Sequence, residues 1–324
     1  MSMMRRSAVF LTLGLLSCDS AGPTPSPPPT THSAPDEPPP RAKPQPMAQA
    51  HRFLSSDQEF YADDADALAE PKRDALLEDG FEGLAIDAPF SVDVAKRSTL
   101  PVFGVFARPA AQPAHFTDDA MVVVVERHGP GFVVDAALRS DKGEPDDDEP
   151  AGGSGTVAEA FVFDARERLT ALPWAAADVL LYVVHQGVLS NGIGVALQGR
   201  DGRAFPPAAK VESTADADVP SGERPLALDL PATAPTEPGG EVLIRGRLEA
   251  GEAGERWVHL LVLGSNPTPF TAAVSVGEAG TFSVNLLGEN PLPKAPGTWH
   301  VYAFSGDHVA GPATIELTSG DKPW

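Results

Sequence analysis

Cysteine is nearly missing. The 324-residue chain carries one, which excludes an internal disulfide and every zinc or iron–sulfur site built from several thiolates. Positive charge is scarce too: 24 Lys and Arg stand against 45 Asp and Glu, a formal net charge of -21. A DNA or RNA partner calls for the opposite balance, so nucleic-acid binding is set aside as a function class. The motifs of common chemistries are lacking as well. There is no Gly-x-Ser-x-Gly elbow, no Gly-x-x-x-x-Gly-Lys phosphate loop and no His-Glu-x-x-His pair. Gly152-Gly153-Ser154-Gly155 leads into a strand pattern rather than a helix, so it lacks the helix N-terminus of an anion site and reads as a flexible loop. Proline and glycine are plentiful, at 34 and 30, which argues against long helices, while 42% hydrophobic residues suffice for packed cores.

The N-terminus reads as an export signal. Arg5 and Arg6 precede an apolar stretch from Ala8 to Leu16 that closes on Ser17 and Cys18. That stretch is far short of the ~20 residues a spanning helix needs, so residues 1–18 are read as a signal peptide rather than a membrane span. Leu15-Leu16-Ser17-Cys18 resembles the lipobox of bacterial lipoproteins, although Leu16 departs from the smaller or β-branched residue usual there. The resemblance implies that Cys18 is lipidated and becomes the mature N-terminus, with the membrane as a partner and the bacterial cell envelope as the location. An ordinary secretory signal with an incidental cysteine is the bland alternative. Asp19 resembles the residue that keeps lipoproteins in the inner membrane of enteric bacteria, a rule that varies between lineages, so inner and outer membrane both stay open.

Residues 19–54 form a tether. Pro23 to Pro46 holds 11 Pro in 24 residues, a composition that cannot bury a core and favours extended polyproline II. Residues 55–88 change character. Ser56-Asp57-Gln58-Glu59 has capping-box spacing, and Phe60, Leu68, Leu76 and Leu77 suggest two short acidic helices broken at Pro71. Between Ser55 and Val94, 12 acidic residues face only Lys72 and Arg73. Such a run is usually a solvated face, and contact with a basic partner is the sharper alternative.

The rest reads as one unit written twice. Pro89 to Val94 matches Pro225 to Leu230, and Met121 to Val125 matches Trp257 to Leu261, both at an offset of 136. Gly155-Thr156 then matches Gly280-Thr281 at 125, and Leu181-Tyr182-Val183 matches Val301-Tyr302-Ala303 at 120. The order never changes, and the shortening falls on an acidic, glycine-rich insertion at 141–153. Each copy offers seven short strands in about 100 residues, the density of an antiparallel sandwich. The expected organisation is a sandwich at 89–212, a linker at 213–224, a second sandwich at 225–319 and a tail at 320–324.

Pro296-Gly297-Thr298-Trp299-His300-Val301-Tyr302 and Leu189-Ser190-Asn191-Gly192-Ile193-Gly194-Val195 resemble the sixth-strand entry and the final hairpin of bacterial immunoglobulin-like or fibronectin-like domains. The resemblance covers roughly residues 89 to 318 and implies a mainly β fold, two tandem Ig-like antiparallel β-sandwiches. The usual Cys pair is absent, and the pattern is shared by many unrelated functions.

Two groups of residues have the chemistry of metal ligands. Asp146, Asp147, Asp148 and Glu149 could supply oxygens to calcium, but the spacing is not that of an EF-hand and prolines flank the run, so a solvated loop is the plainer reading. His259, His300 and His308 lie in or beside strands of the second copy and could approach a metal, yet strand histidines are usually structural. No metal, catalytic residue or cofactor is assigned.

The third and sixth strands of each copy fail to alternate. Both faces of Val179 to Val184 are apolar, and His300, Tyr302 and Phe304 lie opposite Trp299, Val301 and Ala303. A half-exposed antiparallel strand is polar on one side, so both faces of this sheet are expected to be covered. The cover is either the chain itself or a partner protein, and Tyr182, His300, Tyr302 and Phe304 are the candidate interface. The function that follows is a lipid-anchored envelope binding or structural module acting through protein–protein contacts. The alternatives are a hydrolase-type enzyme with dispersed catalytic residues in the first sandwich, or an accessory subunit of an envelope machine.

Overall fold

A computed structural model describes residues 74–76, 80–109, 120–136, 156–169, 177–199, 209–211, 225–236, 241–249, 256–264, 269–276, 280–286 and 295–319. The fold is mainly β and consists of two tandem antiparallel sandwiches. The first is built from β1 (Gly83–Asp87), β2 (Ser91–Asp93), β3 (Pro101–Pro109), β4 (Met121–Glu126), β5 (Phe132–Ala136), β6 (Thr156–Asp164), β7 (Ala177–His185), β8 (Val188–Leu189) and β9 (Ile193–Gln198). One sheet runs β1-β3-β6. The other runs β2-β9-β7-β4-β5, with β8 hairpinned onto β7.

The second sandwich repeats this plan. After β10 (Ala209–Val211) come β11 (Leu226–Asp229), β12 (Thr233–Thr236), β13 (Leu243–Leu248), β14 (Arg256–Leu263), β15 (Phe270–Val276), β16 (Thr281–Asn285), β17 (Gly297–Ser305) and β18 (His308–Ser319). Its sheets are β11-β13-β16 and β10-β15-β14-β17-β18-β12. In both copies the first stretch of chain begins antiparallel in the small sheet. It then switches to lie parallel to the last strand of the large one, β2 on β9 and β12 on β18.

The switch corrects the sequence alignment. Pro89 to Val94 was matched with Pro225 to Leu230, but it contains β2, whose counterpart is β12, while β11 corresponds to β1. Strand β1 falls inside the segment expected to be helical at 55–88. Of that segment's described residues, only 74–76 are helical. The reason lies in Gly83-Leu84-Ala85-Ile86, which is apolar on both faces: Leu84 and Ile86 enter the sandwich core, and Ala85 faces outward under Leu76 beside Phe103, Val105 and Ala160. A second correction concerns β10. It lies within the range assigned to the first sandwich, yet it pairs in parallel with β15 at the edge of the second. The tether, the acidic insertion at 141–153 and the tail lie outside the described residues.

The two cores show the same device. Gly104 on β3 stands opposite Phe161 on β6, and Gly246 on β13 stands opposite Phe282 on β16. A Cβ at either glycine would overlap the facing ring, and at Gly246 it would also press on the Ala227 carbonyl at 2.7 Å. A missing side chain on one strand thus makes room for a phenyl ring lying across it, and close packing leaves little slack there. Inside the first copy Val122, Val124, Leu181, Val183 and Ile193 complete the core; in the second, Val258, Leu260, Trp299, Val301 and Ile315 do so. Asn191, just before β9, adds a polar tie between the two sheets: its side chain accepts from Ile86 N–H at 2.8 Å and donates to Ile86 C=O at 2.9 Å.

Gly104→Ala and Gly246→Ala are each expected to cost about 1–3 kcal/mol through overpacking. The check is a lowered urea midpoint with unchanged slope. An unaltered midpoint in both variants would contradict the ring-over-glycine packing.

Candidate functional site

The large sheets of the two sandwiches face each other. One continuous apolar cluster takes Val123, Val125, Phe132, Leu180, Tyr182 and Val184 from the first copy and Leu261, Tyr302 and Phe304 from the second. These residues stand on the faces of β4, β5, β7, β14 and β17 that point away from their own cores. Alternation explains the division. Val122, Val124, Leu181 and Val183 turn inward, so their neighbours in sequence turn out to the other sandwich.

Aromatic rings hold the middle of this seam. Tyr182 and Phe304 lie with ring centroids 5.0 Å apart at 48°, and Phe132 reaches Phe304 at 6.0 Å and His259 at 5.3 Å. Tyr302 and Phe304 are fully buried and Tyr182 nearly so. Space for Tyr182 comes from Gly192, where a Cβ would collide with the phenol ring. The Tyr302 hydroxyl donates to the Gly187 carbonyl of the other sandwich at 2.9 Å. Gly187 ends a two-residue turn with Gln186 at φ 48° and Gly187 at φ 78°, the left-handed pair that twisted hairpins use. Burial pushes both phenols above their usual range, with Asp307 adding to the shift of Tyr182 and Arg127 opposing it, so they remain protonated donors.

At the rim, Arg127 at the end of the β4 strand pairs with Asp307 in the β17–β18 turn at 2.8 Å. Half-exposed pairs of this kind contribute about 0.2–1 kcal/mol, whereas burying a phenylalanine contributes about 1.5–3 kcal/mol. The apolar contact therefore holds the two sandwiches together, and the ion pair fixes their register.

Of the candidate interface residues, Tyr182, Tyr302 and Phe304 meet within the chain, and this seam is their cover. His300, on the same strand, is half-buried, with its Nδ1 3.4 Å from the Thr314 hydroxyl. His308 is exposed at the start of β18 and His259 is buried, so the three histidines considered for a metal are spread along the sheet. Among the described residues no group of three or more His, Cys, Asp or Glu is placed to hold a metal ion. Cys18 and the residues Asp146, Asp147, Asp148 and Glu149 lie outside the described residues. Sequence reasoning passed over Phe132 and His259 as seam residues. The available signal was the unbroken run from Val258 to Leu263, in which His259 occupies an outward position between apolar neighbours.

No protein-family model and no curated protein matches the chain. Among solved structures, one described as "Structural basis of neurohormone perception by the receptor tyrosine kinase Torso" is similar at 6% identity over 84% of this chain and 94% of that chain, with a TM-score of 0.18. A likeness of that size carries no argument about fold or function.

Phe304→Ala is expected to cost about 3–5 kcal/mol, as truncation of a buried phenylalanine does. Tyr302→Phe, which removes only the bond to Gly187, is expected to cost about 1 kcal/mol. Urea denaturation followed by intrinsic fluorescence measures both; a Phe304→Ala midpoint equal to that of the parent would contradict the packing described.

Proposed function

We propose that the chain is a lipid-anchored module of the bacterial cell envelope whose paired sandwiches work as one stiff binding or structural body through protein–protein contacts. The observation that carries the reading is the seam. The aromatic faces of the two copies, the most adhesive surfaces the sequence offers, cover each other through Tyr182, Tyr302 and Phe304. Tandem sandwiches joined only by a linker would move independently, whereas an apolar contact of this kind makes them a single body. Contacts with a partner then fall on the loops and outer strands rather than on the aromatic sheet face.

Anchoring rests on the leader that ends at Cys18, with the proline-rich residues 19–54 as spacer. Among the described residues no helix is long and apolar enough to cross a membrane. Acyl chains on Cys18 would supply the attachment, each buried CH₂ adding about 0.8 kcal/mol, and several chains hold far better than one. A stiff body on an extended spacer suits a role at a distance from the membrane surface.

Cys18→Ala is expected to move the protein from the membrane pellet to the soluble fraction after carbonate washing. A variant that stays in the pellet to the same extent as the parent would overturn the lipid-anchor reading.

A further inference from the structure

His259 sits in the seam rather than in either core. It lies on β14 opposite Phe304 of β17 and Ala273 of β15, and its ring meets Phe132 of the other sandwich at 5.3 Å. It is 1% exposed, and neither ring nitrogen completes a hydrogen bond. Backbone groups of Phe304 and of Gly129 and Pro130, in the β4–β5 hairpin of the other sandwich, lie close enough to favour a charged ring, but burial outweighs them. The imidazole is pushed down to about 4.

The ionisable groups of the elements packed around it are already engaged or solvated. On the β4–β5 hairpin the Glu126 carboxylate accepts from Gly131 N–H at 3.0 Å, Arg127 is paired with Asp307, and His128 is exposed. In the β17–β18 turn Asp307 is held by Arg127, and His308 at the start of β18 is exposed. Ala273 and Phe304 bring no charge. A proton arriving on His259 would therefore place a buried cation against the Phe132 ring, with no uncommitted carboxylate among these groups to neutralise it.

We propose that His259 makes the seam a proton-operated latch: a proton taken up by this ring parts the two sandwiches while each stays folded. Separation, rather than unfolding, is the expected response because His259 packs against the seam cluster, which is separate from the two inner apolar clusters. The first sandwich also buries Asp87 and His185, the latter against Phe106 of its core, so unchanged dichroism is the readout that both sandwiches stay folded. Parting the sheets returns His259 to water and leaves the strand pairing of both sandwiches intact. The sign follows from the ring being harder to protonate in the closed seam than in water, where its value is about 6.5. Closure is fully favoured above pH 6.5 and weakens as pH falls toward 4, the closure constant dropping up to about tenfold per pH unit within that window. The inference holds whether or not the chain is lipid-anchored.

The test is energy transfer between dyes on Ser91→Cys of the first sandwich and Asp229→Cys of the second, both exposed positions, in the full chain carrying Cys18→Ala at nanomolar concentration. Transfer should change between pH 7 and pH 4.5 with the far-ultraviolet dichroism unchanged. The change should vanish in His259→Phe and persist in Asp307→Asn, which separates the latch from loss of the rim ion pair. Constant transfer across this range in the parent, or the same acid response in His259→Phe, would overturn the proposal. Should His259→Phe fail to fold, the imidazole resonances of the parent decide: a His259 ring that titrates near 6.5 without any change in transfer refutes the latch.

Discussion

The contact between the outward faces of β4, β7, β14 and β17 constrains much of the remaining structure. Four strands that serve a core on one side and a second sandwich on the other must be apolar throughout, which is why Met121 to Val125, Val179 to Val184, Val258 to Leu263 and Val301 to Phe304 carry almost no polar side chain. The hairpins at the rim must then accommodate what the strands bring together. Gly192 leaves room for Tyr182, the left-handed turn at Gln186 and Gly187 provides the carbonyl for Tyr302, and Arg127 meets Asp307.

The two copies treat their small sheets differently. On β3 the outward positions Phe103 and Val105 are apolar and lie in a cluster with Leu76 from the preceding helical turn, whereas on β13 the positions beside the matching glycine, Gly246, are Arg245 and Arg247. Cover on one sheet and charge on the other are two solutions to the same problem. A sheet face must be either buried or wet.

Much of this was legible in the sequence. Short alternating or wholly apolar runs bounded by Gly, Pro and Asp located fourteen of the strands, because turn chemistry and strand composition are local signals. The failure of alternation in the third and sixth strands marked Tyr182, Tyr302 and Phe304 as buried on a second face. It left open what covered them, since the pattern of one strand carries no information about its distant neighbour. Strand β1 was hidden because Gly83 to Asp87 is short, lies close behind an acidic helical pattern and is apolar on both faces, so it shows no alternation. Strand β10 was hidden because Ala209 to Val211 is too short to show a period, and its pairing with β15 is a tertiary choice. The slip between β2 and β11 has a simple cause: Pro-x-x-Val-Asp-Val and Pro-x-x-Leu-Asp-Leu read alike although one lies after the sheet switch and the other before it.

The seam makes the two sandwiches one cooperative body at neutral pH. Differential scanning calorimetry of the chain at pH 7.5 tests this directly, because coupled domains melt together and independent ones do not. The seam predicts a single transition whose calorimetric and van't Hoff enthalpies agree. Two separable transitions, or a calorimetric enthalpy about twice the van't Hoff value, would contradict it.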